Sequence, residues 1–358
     1  MSTLRRCGNL TVQVGYTADK AFHSLPVLLH NDWEEAHGDV SEEWLLSPQH
    51  PYWQTGRATF FTAVRDGPVG RAALIIDSQH RERWAQGDAY IGFFECCNDA
   101  DVARALIRAV TSEARKLSTS RLLATASPSA NYAVGVQVDG FEAAPVVMLS
   151  PGLPHYPGLF EKLGFHGVLD WRAVLMDRER ALAGAELVSR RRHAQHDLTC
   201  RPPRPDELWD RRDKLRDVYN SSFSGSWGFT PMGAGEFDAL IERLQRSVVQ
   251  DLTLLAFIDE RLVGFILTVG SANSADGRSI PPHVLWLCVA AEYQRGGVGV
   301  ALVDEFVQAF GVSAFPSVEY HINDQDPFMV FVAQSLGTEV VKRYRLYALE
   351  LERSEVSG

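Results

Sequence analysis

The sequence predicts an α/β protein of two tandem domains, each with a twisted, mostly antiparallel mixed sheet flanked by helices. Three observations support this fold class. The order of predicted strands and helices in the first half of the chain is repeated in the second. The chain has 358 residues, of which 46% are hydrophobic, which is enough for two packed cores. Two short segments also recur: 63–70 is similar to 256–264, and 161–164 is similar to 334–337.

In the first half, alternating or continuous apolar runs predict the strands, and amphipathic stretches predict the helices. The turn Asp66-Gly67 joins two of the strands into a hairpin. The predicted strands are 10–14, 59–64, 69–76, 88–96, 121–125, 146–149 and 166–176; the helices are 18–30, 99–117 and 156–163; the loops are 31–55 and 128–140.

A charged, alanine-rich connector at 177–196 separates a first domain, 1–176, from a second, 197–358. Arg190 to Arg192 are interpreted as part of a solvated linker and not as an anion site. In the second domain, the predicted strands are 198–201, 252–258, 262–269, 284–289, 317–322 and 340–351; the helices are 206–219, 235–246, 298–310 and 327–336; the polar connections are 225–231 and 271–282.

The composition excludes several classes of protein. A formal net charge of −10 argues against a nucleic-acid partner, because the phosphates would be repelled. No apolar run reaches the roughly 18 residues that a membrane span requires, and the first residues contain no signal-peptide apolar segment. Five cysteines without a C-x-x-C pair indicate a reduced, cytoplasmic protein. The sequence leaves open whether the protein is a monomer or a homodimer.

One stretch of the second domain has the features of a phosphate-binding turn. The apolar strand 284–289 runs through a glycine-rich turn into an amphipathic helix at 298–310. The first amides of a helix lack partners and the helix dipole favours negative charge there, so this turn is suited to hold a phosphate. Gly296, Gly297 and Gly299 allow a close approach to the backbone because they carry no side chain.

Gln294, Gly297 and Gly299 fill the pattern Gln/Arg-x-x-Gly-x-Gly/Ala, and Leu287-x-Val289 lies just upstream. With these residues the stretch resembles the acyl-CoA pyrophosphate loop of the GNAT acetyltransferases, and the duplicated order resembles their tandem members. The resemblance implies a splayed central pair of strands and acetyl-CoA, or another acyl-CoA, as co-substrate. It implies pantetheine contacts from Leu287, Cys288 and Val289, with the Val289 amide on the thioester oxygen. It implies that the pyrophosphate is held by Gln294, Arg295, Gly296, Gly297, Val298, Gly299 and Val300.

The sequence does not single out a base that deprotonates the acceptor amine. His321 is the first candidate, because its pKa lies near neutrality, and His283 is the second. Alternation places Glu319, His321 and Asn323 on one face of their strand. For both histidines a structural role is the competing interpretation, and the lesser candidates are Glu236 and Asp324.

The acid that protonates the leaving thiolate is also open. The Asn and the following Tyr of the family fall on Asp326 and Ala333 here, so the tyrosine is absent. Water, Tyr320 or Tyr344 could replace it. Cys288 is expected to be a buried core residue and not a nucleophile.

Acceptor contacts are expected from Trp227, Phe229, Glu319 and Tyr320, although packing of the two aromatic residues against their own helices is an equal alternative. The first domain carries Asn98, Asp99 and Asp101 where the glycines should be, and the carboxylates of the two aspartates would repel a pyrophosphate. We therefore expect no coenzyme A there. No spacing of His, Cys, Asp and Glu indicates a metal site.

The resemblance implies transfer of an acyl group, most simply acetyl, from acyl-CoA to the amine of a small molecule by direct attack. Two alternatives remain at this point. One is an aminoacyl-tRNA-dependent transferase of the Fem type. The other is a catalytically inactive acyl-CoA sensor or scaffold. The acceptor, the acyl length and any contribution of the first domain to the site stay open.

Overall fold

The computed structural model describes residues 9–30, 40–144, 148–149, 152–190, 197–270 and 280–351. Parts of four predicted segments lie outside these residues: 31–39 of the first loop, 146–147 of a short strand, 191–196 of the connector and 271–279 of a polar connection.

The α-helices are α1 (Lys20–Leu29), α2 (Glu42–Leu46), α3 (Ser78–Arg83), α4 (Ala100–Lys116), α5 (Tyr156–Lys162), α6 (Arg178–Ser189), α7 (Glu207–Asp210), α8 (Arg212–Ser222), α9 (Ala234–Leu244), α10 (Val298–Val312) and α11 (Pro327–Ser335). The strands are β1 (Thr11–Gly15), β2 (Gly56–Val64), β3 (Pro68–Asp77), β4 (Asp88–Cys96), β5 (Arg121–Ala124), β6 (Ala126–Ser127), β7 (Ala133–Val134), β8 (Val136–Asp139), β9 (His166–Asp177), β10 (Leu198–Arg201), β11 (Leu254–Ile258), β12 (Arg261–Val269), β13 (His283–Val289), β14 (Ser317–Asn323) and β15 (Glu339–Glu350).

The predicted duplication is confirmed element by element. The first half runs β1, α1, α2, β2, β3, β4, α4, β5, α5, β9, and the second runs β10, α8, α9, β11, β12, β13, α10, β14, α11, β15. Both halves use antiparallel pairing except at one central parallel pair, β4 with β5 and β13 with β14. This is the mixed, mostly antiparallel fold that the sequence predicts.

The two sheets are joined into one, which the sequence did not predict. The strand order is β1-β2-β3-β4-β5-β15-β9-β14-β13-β12-β11-β10, with β8 also paired to β15. Among the strands of the described residues, β9 therefore pairs only with β14 and β15 of the second half. Strand β15 in turn pairs only with β5, β8 and β9 of the first half. The last strand of each half thus completes the sheet of the other.

Several local predictions differ from the structure. The predicted connector contains helix α6, whose residues Ala181, Gly184, Ala185 and Val188 are buried against α10 and α11. The predicted loop at 128–140 contains β7 and β8, and α3 was not predicted. The predicted helix at 206–219 is two helices, α7 and α8, which meet at Arg211. The boundary between the two domains stays a prediction.

The core has three parts. One packs under α6, α10 and α11 in the second half. Another packs under α4 and α5 in the first half. A third lies between the halves and joins α8 and α9 to the first half through buried aromatic residues such as Tyr90, Tyr132 and Phe229. This shared core fixes one half against the other on the α8 and α9 face of the sheet.

Candidate acyl-transfer site

The glycine-rich turn lies between β13 and α10. Arg295 and Gly297 adopt left-handed backbone conformations, with φ of 63° and 88°. Helix α10 begins at Val298 without any side-chain cap on its first amides. A Cβ added to Gly299 would lie 3.2 Å from the ring of Phe328, so a side chain at this position would crowd that ring. The first turn of α10 therefore presents open backbone amides, as a phosphate site requires.

The C-terminal end of α8 fixes this turn in place. The Gln294 side chain donates to the carbonyl oxygens of Val289, at 3.1 Å, and of Ser222, at 3.2 Å. The hydroxyl of Ser221 accepts from the Ala291 amide at 2.8 Å. The motif glutamine thus ties the turn to the strand and helix beside it. The two serines were not predicted, because nothing in their local sequence indicates where α8 ends in space.

The predicted splay of the central strands is present in the second half. Strands β13 and β14 pair only at His283 with Glu319 and at Val284 with Tyr320. Beyond that point β13 continues along β12 alone. The result is a gap between the strands that widens toward the glycine-rich turn, with its closed end, the apex, at His283.

The backbone of β13 offers amides toward the gap. The Ala290 amide donates to Val263 of β12 at 2.9 Å, and the Val289 amide points the other way and donates to the Ser222 hydroxyl at 3.1 Å. Because amide direction alternates along a strand, the Leu287 amide also faces the gap. The Val289 amide, expected to bind the thioester oxygen, already has a protein partner.

At the apex, the rings of His283 and His321 lie 4.5 Å apart, centre to centre. His283 is 4% exposed, whereas His321 is partly exposed. Burial, with a smaller contribution from the Lys342 ammonium, lowers the pKa of His283 to about 3. Burial, His283 and Lys342 together hold the pKa of His321 well below its usual value. Both imidazoles are therefore neutral at pH 7, and the same burial disfavours their protonation.

An ion pair lies next to the two rings. The ammonium of Lys342, 1% exposed, donates to the Glu319 carboxylate at 2.6 Å. Ala173 of β9 is the direct partner of both His321 and Lys342 in the sheet. Since paired residues share a face, the lysine side chain reaches across the small Ala173 side chain to Glu319. The site thus takes a residue from the first half, and neither Lys342 nor Ala173 was predicted.

The remaining candidate residues lie elsewhere. Tyr320 points to the opposite face of the sheet, into the α10 and α11 core, together with Val318 and Ile322. Cys288 is fully buried, and burial raises the pKa of its thiol well above the usual range, as expected of a core cysteine.

The two predicted acceptor-wall aromatics pack between the halves. Phe229 is buried against Tyr219 and Phe223, and Trp227 packs near Trp84 and His80. Phe229 thus packs as the alternative expected, against α8, whereas the ring contacts of Trp227 are with residues of the first half.

The lesser candidates are engaged in structural contacts. Glu236 accepts from the Tyr132 hydroxyl at 3.0 Å, Asp324 forms an ion pair with Arg172, and Asp326 caps α11. Ala333 is buried in the α10 and α11 core. Of the proposed acids, Tyr344 packs at the apex, with its ring edge-on to that of His321 at 6.1 Å.

The first half differs at each corresponding position. Asp99 caps α4 by accepting from the amides of Asp101 and Val102, and it pairs with Arg65 at 2.8 Å. Its gap is filled by the chain after β5, because the Ser127 hydroxyl accepts from the Phe93 amide at 2.8 Å. A Cβ on Gly92 would lie 2.4 Å from the Ala126 carbonyl oxygen. Neither the helix start nor the gap is open there.

Within the described ranges, no group of three or more His, Cys, Asp or Glu side chains is arranged to hold a metal ion. None of the helices described is both long enough and apolar enough to cross a bilayer.

No protein-family model matches the chain. Two curated proteins are similar in sequence. Protein YghO of Escherichia coli (strain K12) is 26% identical over 329 residues, which cover 84% of this chain and 83% of that protein. The bacterial ceramide synthase of Caulobacter vibrioides (strain NA1000 / CB15N) is 26% identical over 237 residues, or 64% of this chain; the match spans 61% of the synthase's length.

Solved structures are similar over nearly the whole chain. A tandem GNAT protein from the clavulanic acid biosynthesis pathway superposes with a TM-score of 0.57 at 14% identity, covering 97% of this chain and 100% of that one. A GCN5-related N-acetyltransferase from Sphaerobacter thermophilus gives 0.53 at 13% identity, with 95% of each chain covered. A probable N-acyltransferase from Enterococcus faecalis V583 gives 0.57 at 12% identity, covering 96% and 74%. The chain therefore has the tandem fold of the GCN5-related N-acetyltransferases.

Proposed function

We propose that the protein is an acyl-CoA-dependent N-acyltransferase that acylates the amine of a small molecule. The observation that carries the proposal is the uncapped start of α10 at the open end of the β13–β14 gap. A phosphate-binding helix start and an adjoining open strand edge are the two features that an elongated acyl-CoA requires. Acetyl-CoA is the simplest donor that fits.

In this proposal the amides from Gly297 to Val300 hold the pyrophosphate, and the pantetheine arm follows β13 toward the apex. The thioester oxygen accepts from the Leu287 amide, because the Val289 amide is bound to Ser222. The acceptor nitrogen attacks the thioester carbon, the carbon–sulfur bond breaks, and coenzyme A leaves as a thiolate. One proton passes from the amine nitrogen to a base and finally to the thiolate.

The proposal includes one acyl-CoA site per chain, in the second half. Asp99 would place a carboxylate where the first half would need a pyrophosphate, and the filled gap leaves no path for pantetheine. The first half contributes Ala173, which lies between His321 and Lys342 in the sheet.

A second candidate changes the donor to a long-chain acyl-CoA. The similarity to a bacterial ceramide synthase favours it, since a ceramide is the fatty-acid amide of a long-chain amino alcohol. Both candidates use the same glycine-rich turn and the same amide-forming step. Calorimetric titration with acetyl-CoA and with palmitoyl-CoA separates them by relative affinity.

A matched pair of variants tests the acyl-CoA site. Gly297→Asp and Gly297→Asn place side chains of the same size in the same left-handed conformation, and only the aspartate adds negative charge. We expect the aspartate variant to bind acyl-CoA at least about tenfold more weakly than the asparagine variant, because its carboxylate repels the pyrophosphate. Calorimetry gives both dissociation constants. Equal affinities would contradict a pyrophosphate at this turn.

The same titrations address the other interpretations. If the wild type binds no acyl-CoA, the proposal fails, and an aminoacyl-tRNA donor gains support. If it binds acyl-CoA but releases no free thiol with any member of an amine panel, the sensor or scaffold interpretation gains support instead. Gly233→Asp, at the open start of α9, controls for adding a carboxylate at another helix.

A further inference from the structure

Ser222, the last residue of α8, places a hydroxyl at the edge of the β13–β14 gap. Its oxygen accepts from the Val289 amide at 3.1 Å, and this amide faces the gap. Ser222 is partly exposed, so a ligand in the gap can reach it. The backbone carbonyl of Ser222 accepts from the Gln294 side chain, which holds the serine against the glycine-rich turn. The hydroxyl is therefore fixed beside the strand that the proposed acyl-CoA follows.

The hydrogen of this hydroxyl is open to a ligand. A serine hydroxyl offers one donor and two acceptor positions, and the Val289 amide occupies one acceptor position. Among the described residues, the Ser222 hydroxyl donates to no oxygen atom. It contacts the thiol of Cys288, whose sulfur is a weak acceptor. A thiolate in the gap would accept this hydrogen in preference to Cys288, because hydrogen bonds to a charged group are roughly twice as strong.

The acyl-CoA path of the proposed function brings the thioester sulfur to this hydroxyl. The thioester oxygen accepts from the Leu287 amide, and the pantetheine arm arrives from the glycine-rich turn. The sulfur is bonded to the same carbon as that oxygen and leads into the pantetheine arm, so it lies on the Val289 side. The amides of Leu287 and Val289 are roughly 6.7 Å apart along the strand. A sulfur atom between them is within reach of the hydroxyl that is bound to the Val289 amide.

The other hydroxyl groups considered for this step lie elsewhere. Ala333 replaces the tyrosine of the family and is buried in the α10 and α11 core. Tyr320 points into the same core, on the opposite face of the sheet from His321. Tyr344 packs against His321 at the apex, beyond the thioester carbon as seen from the sulfur. Of these hydroxyls, only that of Ser222 lies on the sulfur side.

We propose that Ser222 is a catalytic residue that donates a hydrogen bond to the sulfur of acyl-CoA and stabilises the leaving thiolate. This inference rests on the proposed acyl transfer. When the acceptor nitrogen bonds to the thioester carbon, the carbon–sulfur bond breaks and its electron pair stays on the sulfur. The negative charge that develops there strengthens the hydrogen bond from Ser222. The hydroxyl keeps its own proton, because a serine hydroxyl is a far weaker acid than a thiol. The thiolate receives the proton that the amine loses.

The complex with coenzyme A, without an acceptor, reports on this hydrogen bond. A thiolate absorbs ultraviolet light more strongly than a thiol, so a pH titration gives the pKa of the bound thiol. The complex with desulfo-coenzyme A, which lacks the sulfur, corrects for the cysteines and tyrosines of the protein. We expect Ser222→Ala to raise the pKa of the bound thiol by about one unit, as the loss of one hydrogen bond to a charged group implies. Ser222→Thr keeps a hydroxyl and should restore the wild-type value. Ser224→Ala, at an exposed serine beyond the end of α8, is the control.

Turnover gives a second measurement. With an amine that the panel identifies, Ser222→Ala should lower the single-turnover rate about tenfold and change the dissociation constant of acetyl-CoA less than about threefold. An unchanged pKa of the bound thiol in Ser222→Ala, or the same change in Ser224→Ala, overturns the inference. Weaker acetyl-CoA binding with an unchanged thiol pKa assigns Ser222 a structural role and also overturns it. In each case coenzyme A still binds and the proposed function stands, whereas a wild type that binds no coenzyme A is the separate failure of the proposed function.

Discussion

Glu236 is a carboxyl group buried between the two halves. It lies on α9, is 8% exposed and accepts from the Tyr132 hydroxyl of the first half. Burial raises its pKa to about 7. The folded protein therefore keeps a proton that the unfolded chain loses at lower pH. The contribution of Glu236 to the free energy of unfolding is fully present below its pKa in the unfolded chain, near 4.5. This contribution is lost as the pH rises through 7.

Glu236→Gln should make stability less dependent on pH. The amide keeps an acceptor for Tyr132 and cannot ionise, so the variant should match the wild type at pH 4. At pH 8 it should exceed the wild type by up to about 3 kcal/mol in free energy of unfolding. Urea unfolding at both pH values measures this difference. Glu242→Gln, exposed on the same helix, is the control; a difference that does not change with pH would contradict the expectation.

At the scale of elements, β9 is the strand on which the apex depends. Ala173 is fully buried and lies between His321 and Lys342 in the sheet. The contact from Lys342 to Glu319 passes over its side chain. The small residue at this position is what allows a buried ion pair to span three strands.

Ala173→Leu should separate the two charges. Breaking a buried ion pair and overpacking a core each destabilise a protein, so we expect a loss of about 3 to 5 kcal/mol in free energy of unfolding. Chemical unfolding at pH 7 measures it, with Val168→Leu at an exposed site on β9 as the control. A loss below about 1 kcal/mol would mean that the lysine does not pass over this residue.

The elements that could be predicted from the sequence are those specified locally. The β13 strand, the glycine turn and α10 follow from an apolar run, glycine spacing and helical periodicity, all within 283–312. Helix α6 was missed because its buried face consists of small residues. A Cβ on Gly184 would lie 2.0 Å from the Ser335 carbonyl oxygen, so close packing against α11 requires glycine there. The search for hydrophobic periodicity does not detect such a face, because its residues are small and only weakly hydrophobic.

The apex could be predicted only in part, because its contacts depend on which strands lie side by side in the sheet. The alternation in β14 correctly placed Glu319 and His321 on one face. The partners of that face depend on which strand lies beside β14, and local sequence does not specify it. Lys342 and Ala173 were missed because β15 and β9 were assigned to their own halves.

At the scale of the whole molecule, the exchanged strands make the halves interdependent. Within the described part of the chain, neither β9 nor β15 has a strand partner in its own half. Each half alone would expose the edge of β5 or of β14 and leave its core uncovered there. The tandem domains therefore form a single folding unit, although each repeats the same order of elements.

A divided chain tests this interdependence. Fragments 1–190 and 197–358, produced separately, should show no cooperative thermal transition, because each lacks a central strand. Produced together, they should form a one-to-one complex with a single transition. Size-exclusion chromatography and calorimetry give both results. A cooperative transition in either isolated fragment would show that the exchanged strand is dispensable.

The strand exchange also determines when the sheet can be completed while the chain is being synthesised. The edge of β5 is made early, but its partner β15 begins only at Glu339. At translation rates of about 5 to 20 residues per second, that edge waits on the order of ten to forty seconds for its partner. Until β15 emerges from the ribosome, the first half cannot close its sheet. A nascent chain of this protein must therefore shield an incomplete β-sheet during most of its translation.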